Sequence, residues 1–194
     1  PQHLSAYQLT LSTERSKNWK QAGNDELSKF FDFTEATLGS KGFSRYEVSN
    51  FCVSGQECRH NLKYWRVEPF LGLGPGASGL LRGMPHLKES SYHQKSPDNF
   101  DVWAENCGRE IFELKTLSPR TSRDDFHERL MMGLRLKKGI STSVLSEAEL
   151  GLLKQKLAKP ELRDFFVWGG DGQLSCRPSG LKILDTLLLK LFEL

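Results

Sequence analysis

Cysteine is scarce and unpatterned in this sequence. Its four cysteines, Cys52, Cys58, Cys107 and Cys176, are spread over 194 residues, and their spacings match neither a zinc ligand set nor a compact disulfide framework. A structural or incidental role is expected for all four. Long apolar runs are missing too: nothing approaches the roughly 18 residues that cross a bilayer. The greasiest stretch, LKILDTLLLKLFEL at the end, is broken by Lys182, Asp185, Lys190 and Glu193. It reads as an amphipathic packed helix and not as a membrane anchor. No long basic run exists and the net charge is +3, so a mixed solvated surface is expected and nucleic-acid binding is not. Repeats and low-complexity tracts are absent. No leader is expected within the sequence given, which opens PQHLSAYQLT, without an initiating methionine and as if already inside a strand. That start suits either a processed chain or a piece of a longer one.

What is present is ordinary for a globular protein, with 38% hydrophobic and 26% charged residues in a length sufficient for one domain or two small ones. HLSAYQLTL, from His3 to Leu11, alternates apolar and polar residues and predicts a strand, followed by a polar loop. A helical pattern begins at Asn24, the expected N-cap, with Asp25 and Glu26 in the first turn. Leu27, Phe30, Phe31, Thr34 and Leu38 mark its face, and Gly42 suits a left-handed stop. FSRYEVSNF then predicts a second strand, parallel to the first in an α/β sheet and its neighbour. A third is expected around Phe70 to Leu73. LTLS, VSNF and GPGASG thereby fall at strand carboxyl ends, where parallel sheets gather ligands.

After this the character changes. A helix opening at Asp98 has Phe100, Trp103, Ile111 and Leu114 as inward positions, and another carries Phe126, Leu130, Met131 and Leu134 inward. From Ser141 the order reads helix, helix, a short strand GQLSCR after the turn GGDG, and a final helix. This helix-rich unit with a small hairpin resembles a winged-helix module.

The chemistry concentrates between Cys58 and Gly79, in CRHNLKYWRVEPFLGLGPGASG. On a helix His60 and Tyr64, four apart, share a face. An imidazole beside Tyr64 and Trp65 can ligate an iron axially while the rings pack on a flat macrocycle. Equally, His60 and Asn61 can satisfy backbone groups in a turn while the aromatics fill core. Gly72, Gly74 and Gly76 bare the backbone and permit positive φ, and Pro75 stiffens the loop. Its N–H groups can hold a carboxylate or an adenosine moiety, or the segment can be a tight turn. It is neither a Walker loop nor a dinucleotide fingerprint. His3, His86, His93 and His127 lack ligand partners at metal spacing, and Asp124–Asp125 reads as a helix first turn.

Taken in order, HLSAYQLTL, GFSRYEVSNF, HNLKYW, FLGLGPGA and SGLKILDTLLLKL resemble the C-terminal half of the radical S-adenosylmethionine (SAM) proteins related to oxygen-independent coproporphyrinogen oxidase. The resemblance covers almost the whole chain. HNxxYW marks the haem chaperone branch, and SPDNF, MMGLR and CRPSGLKILDTLLL resemble its animal mitochondrial members. The fold so implied is α/β: the C-terminal half of a partial (β/α) radical SAM barrel over 1–115, with a linking helix, then a mostly helical, winged-helix-like domain over 116–194. The resemblance implies haem binding by His60, Asn61, Tyr64 and Trp65, with His60 the axial iron ligand. It places Thr10, Gly74, Gly76, Ala77 and Ser78 along the S-adenosylmethionine pocket. The full-length protein would also hold a [4Fe–4S] cluster and hand haem, or a porphyrin, to acceptor proteins.

The resemblance also implies a mitochondrial location, with the cytoplasm as alternative; no nucleic acid or membrane span is expected, and peripheral membrane association stays open. The alternative function is radical decarboxylation of coproporphyrinogen III; a third is a truncated form that acts only as a binding module. Two features depart from the family. The CxxxCxxC cluster motif is absent and would lie upstream of Pro1, and Ser78 stands where a histidine is usual after GPGA. An isolated half-barrel would also expose an unpaired sheet edge, which predicts marginal stability or aggregation.

Overall fold

The structure is a computed structural model that describes residues 1–9, 22–85, 88–108 and 117–193. Thr10, His86, Ile111 and Leu114 lie outside the described residues, as does the far end of the strand expected from His3 to Leu11. In chain order the elements are β1 (His3–Ser5), α1 (Asn24–Gly39), β2 (Ser44–Arg45), β3 (Asn50–Cys52), α2 (Arg59–Trp65), β4 (Ser78–Arg82), β5 (Ser91–Lys95) and α3 (Phe100–Gly108). They continue with β6 (Leu117–Pro119), α4 (Ser122–Gly133), β7 (Ile140–Ser141), a 3₁₀ turn (Thr142–Val144), α5 (Glu147–Leu157) and α6 (Pro160–Arg163). The last are β8 (Phe166–Trp168), β9 (Gln173–Cys176), α7 (Pro178–Leu181) and α8 (Leu184–Phe192). Two compact units result, one formed by Pro1–Arg59 with Leu134–Leu194, the other by His60–Gly133.

In the first unit the parallel pair expected from the sequence does not form. Both β1 and β2 pair with β3, and both run antiparallel to it, so the sheet order is β1-β3-β2. The reason is a reversal inside the segment read as one strand. Tyr46 N–H donates to the Asn50 carbonyl at 3.1 Å, and Arg45 Nη1 donates to the Val48 carbonyl at 2.5 Å. Ser49 N–H donates to the Glu47 carboxylate at 3.2 Å, so side-chain bonds to the backbone close the turn within the segment read as one strand. The N-cap of α1 is Gly23, one residue before the Asn24 expected, because Glu26 reaches back to accept from Gly23 N–H at 3.0 Å. Phe30 is exposed, and it is Phe31 that packs, under the Arg45 guanidinium. The helix ends at Gly39, and after it Gly42 takes the left-handed position expected of it, with φ 81°.

The rest of this unit is built on leucines. Leu134, Leu153, Leu157, Leu162, Leu174, Leu187 and Leu191 are buried, each side chain contributing about 1.5–3 kcal/mol. Helix α8 turns Leu184, Leu187, Leu188 and Leu191 inward and leaves Leu189 exposed, the amphipathic packing expected of the terminal segment. Ser146 and Glu149 cap α5 reciprocally. The small sheet β7-β9-β8 closes through GGDG, where Gly169 N–H donates to the Gln173 carbonyl at 2.7 Å.

The second unit carries the antiparallel sheet β4-β5-β6 with Leu80, Leu81 and Tyr92 buried. The strand expected at Phe70 to Leu73 shrinks to one bridge, Phe70 N–H to Leu80 O at 2.8 Å and Leu80 N–H to Phe70 O at 2.9 Å. The strand itself begins after the glycines, at Ser78. Helix α4 buries Phe126 and Leu130 but leaves Met131 exposed, and Phe100 on α3 is exposed as well. Both had been expected inward. Among the described residues no helix is long and apolar enough to cross a membrane.

Candidate functional site

HNLKYW forms the body of α2, a seven-residue helix. His60 is exposed, while Asn61, Tyr64 and Trp65 are half-buried. Four-residue spacing brings the His60 and Tyr64 rings together at 4.8 Å in an edge-on contact, and Tyr64 meets Phe70 edge-on at 4.5 Å. A three-ring ladder thus backs an imidazole that faces solvent. Phe70 was not singled out from the sequence, since nothing in local spacing links it to Tyr64.

The helix stops abruptly. Val67 N–H donates to Tyr64 O and Glu68 N–H to Lys63 O, both at 3.0 Å, a Schellman closure with Val67 in the left-handed position at φ 54°. Glycine is the usual occupant. A non-glycine residue there costs about 1–3 kcal/mol, and burial of the Val67 side chain offsets a comparable amount. This turn sends the chain from the helix straight into the glycine loop.

The four glycines of this stretch, Gly72, Gly74, Gly76 and Gly79, differ in their surroundings. A Cβ on Gly72 would collide with the backbone of Ser78, and one on Gly79 with Gly72, Phe70 and Gln94. The two chain segments cross too closely for side chains. Gln94, buried on β5, accepts from Gly72 N–H and donates to Gly72 O, each at 3.0 Å. Gly76 takes φ 69°, its N–H donates to Pro97 O at 2.7 Å, and its carbonyl accepts from Lys95 Nζ at 2.8 Å. The Ala77 carbonyl accepts from Ser96 N–H at 2.8 Å. These backbone groups are therefore occupied by the protein itself. The open face is at Gly74, φ 112°, where an added Cβ meets nothing within 4 Å, with exposed Ser78 following it. His60, Asn61, Tyr64, Trp65, Gly74, Gly76, Ala77 and Ser78 all fall in the His60–Gly133 unit. Gln94 was missed, although the buried Tyr92 and Gln94 at alternate positions of SYHQK carried the signal.

A second group emerges from residues read as bland. Asp125 on α4 accepts from Arg82 at 2.5 Å, from Arg120 Nε at 2.9 Å and from Ser91 Oγ at 3.1 Å. Arg120 also pairs with Glu128 and contacts His93 Nε2. Burial works against the Asp125 charge, but the hydrogen bonds and charges of Arg82 and Arg120 hold its carboxyl below the usual range. Asp124 beside it does what was expected of the pair, meeting Thr121 at the helix start. The network ties β4, β5, α4 and the residue that follows β6 together and is structural in geometry.

The cysteines do not gather: Cys52 and Cys176 are buried, Cys58 is half-buried and Cys107 exposed, all with free thiols. Among the described residues no group of three His, Cys, Asp or Glu could hold a metal ion, so ligands for an iron–sulfur cluster are not found among them.

No protein-family profile matches the chain. Radical S-adenosyl methionine domain-containing protein 1, mitochondrial, of Bos taurus is 31% identical to it, over 98% of this chain and 46% of that protein. The protein of the same name from Danio rerio is 33% identical, over 96% and 45%. Heme chaperone HemW of Synechocystis is 30% identical over 75% of this chain and 35% of its own. The chain thus spans about half the length of the curated relatives it matches, or less. Among solved structures, coproporphyrinogen III oxidase (HemN) from Escherichia coli, a radical SAM enzyme, superposes with a TM-score of 0.57 over 88% of this chain and 42% of that one, at 12% identity. That likeness is one of fold, and it bears out the α/β radical SAM class. From these matches, the chain belongs to the radical S-adenosylmethionine family that contains mitochondrial radical S-adenosyl methionine domain-containing protein 1 and heme chaperone HemW.

Proposed function

We propose that the complete protein is a haem chaperone: it binds haem, with His60 as axial ligand and Asn61, Tyr64 and Trp65 around it, and passes it to acceptor proteins. The observation that carries this reading is the exposed imidazole on the three-ring ladder His60–Tyr64–Phe70, in a chain whose relatives include proteins named heme chaperones. An exposed imidazole nitrogen can take a metal, and an aromatic flank suits a flat macrocycle. Gly74 and Ser78, on the loop that Gly76 and Ala77 shape, would line the S-adenosylmethionine pocket, for which the open backbone at Gly74 leaves room. Its reductive cleavage needs a [4Fe–4S] cluster whose ligands must come from elsewhere in the complete protein. We take 1–115 as barrel and linking helix and 116–194 as the C-terminal helical domain, and the mitochondrion as the compartment, on the names of the animal relatives.

Haem titration followed by Soret absorption is the test. The parent should give a saturable band and His60→Ala should bind at least tenfold more weakly; equal binding would refute the ligand assignment. Anaerobic assay of the complete protein with coproporphyrinogen III is the complementary measurement, and accumulation of protoporphyrinogen would replace the chaperone reading with the oxidase one.

A further inference from the structure

The unit formed by Pro1–Arg59 and Leu134–Leu194 holds a cavity of about 260 Å³, lined by none of the residues assigned to haem. Its walls combine the cations Arg45, Lys137 and Arg177 with the carboxylate of Glu35, and add the apolar surfaces of Phe31 and Leu181. Arg45 is the unusual member. Its side chain is 3% exposed, and its guanidinium stacks 3.7 Å from the Phe31 ring centroid and 4.6 Å from that of Phe51. Nη1 is used on the Val48 carbonyl. Nε–H, by contrast, is buried with no hydrogen-bond acceptor among the described residues, and half-exposed Glu35 stands 3.8 Å off. A buried donor left without an acceptor is costly, and on a cavity wall a ligand oxygen relieves that cost.

The other two cations are held by their backbones while their side chains remain exposed. Lys137 N–H donates to Tyr46 O at 2.9 Å and Arg177 N–H to Phe165 O at 2.8 Å. Positive charge thus exceeds negative around the space, which selects an anion. Phe31 and Leu181 offer that anion's body an apolar bed. The volume falls just below the roughly 300–1,000 Å³ of drug-sized sites, which suits a single-ring compound and is too small for a macrocycle.

We propose that this cavity binds a small carboxylate with an apolar body. Its oxygens accept from Arg45 Nε–H and meet Lys137 and Arg177, while the body lies on Phe31 and Leu181. The site is separate from the haem reading, and either can fail without the other because this one is read without haem.

Calorimetric titration of the complete protein with sodium benzoate tests it, with acetate and benzylamine in parallel. Saturable benzoate binding is expected, at least tenfold tighter than acetate, with none for benzylamine. The double variant Lys137→Glu/Arg177→Glu changes exposed side chains and should weaken benzoate at least tenfold; Arg45→Lys keeps the charge, removes the Nε–H donor and should do the same. If Arg45→Lys fails to fold, the double variant carries the test. Absence of saturable benzoate binding, equal binding of acetate, or unchanged affinity in the double variant would overturn the proposal.

Discussion

Glu47 and Asp125 are both removed from solvent, yet their surroundings push them in opposite directions. Burial raises the Glu47 pKa, and the hydrogen bonds from Ser49 and Asn50 and the charge of Arg45 only partly counter it; its Oε2 has no hydrogen-bond partner among the described residues. A carboxyl whose pKa is higher folded than unfolded binds its proton more tightly in the native state. Its contribution to stability is therefore full in acid and falls as pH rises past the ordinary glutamate range, about 4.3. Asp125 has the reverse sign: its contribution is present above the ordinary aspartate range, about 3.9, and is lost as pH falls through its lowered value. Thermal melts from pH 4 to 8 should show Glu47→Gln more stable than the parent at pH 7, by about 2–4 °C if the gain is ~1 kcal/mol, with the gap closing in acid. Asp125→Asn should cost about 3–5 kcal/mol at pH 7, because it leaves half-buried Arg82 and buried Arg120 without their shared carboxylate, and that gap should shrink in strong acid. A Glu47→Gln advantage that grows towards pH 4 would contradict the burial argument.

At the scale of elements, the glycine loop depends on the crossing at Gly72 and Gly79. Gly79→Ala should break the Phe70–Leu80 bridge, since its Cβ would meet Phe70 O and Gly72 N at 2.9 and 2.8 Å. The expected outcome is loss of amide-exchange protection at Phe70, Gly72 and Leu80 with much of β5–β6 retained; unchanged protection would rule out the close-approach explanation. The sequence made this loop legible as bare backbone, because glycines at such spacing have few other uses. It could not tell backbone needed for a ligand from backbone needed for a crossing, since Gln94, whose side chain clasps the crossing at Gly72, is remote in the chain. Helices α1, α4, α5 and α8 were readable from apolar spacing. The antiparallel pairing of β1 and β2 with β3 was not, because FSRYEVSNF reads as one strand and its reversal is fixed by side-chain contacts of Arg45 and Glu47. His60 and Tyr64 could be paired from their spacing; Phe70 completes their ladder through the turn at Val67, which a valine does not advertise.

For the whole molecule, the thiols serve as reporters of opening. Burial pushes Cys176 up to about 12, and burial with the nearby Glu57 charge raises Cys52, against about 8.5 for a free thiol. Cys107, in the other unit, is exposed. With a thiol-specific reagent at pH 8 and mild temperature, Cys107 should react first, while Cys52 and Cys176 wait for unfolding of their unit. Cys52 modified as fast as Cys107 under native conditions would show that the unit built from Pro1–Arg59 and Leu134–Leu194 does not hold together. This also addresses the marginal stability expected of a chain that spans about half of its relatives.

The Gln94 clasp on Gly72 has a further consequence. Its amide donates and accepts just as a peptide group does, so a side chain stands in for one rung of a sheet ladder. Backbone rungs lie beyond the reach of ordinary mutagenesis; this one is encoded by a codon. Gln94→Glu keeps the acceptor and deletes the donor, removing half a rung without touching the main chain. The tether between sheet and loop is thus set by a side chain and not by the main chain.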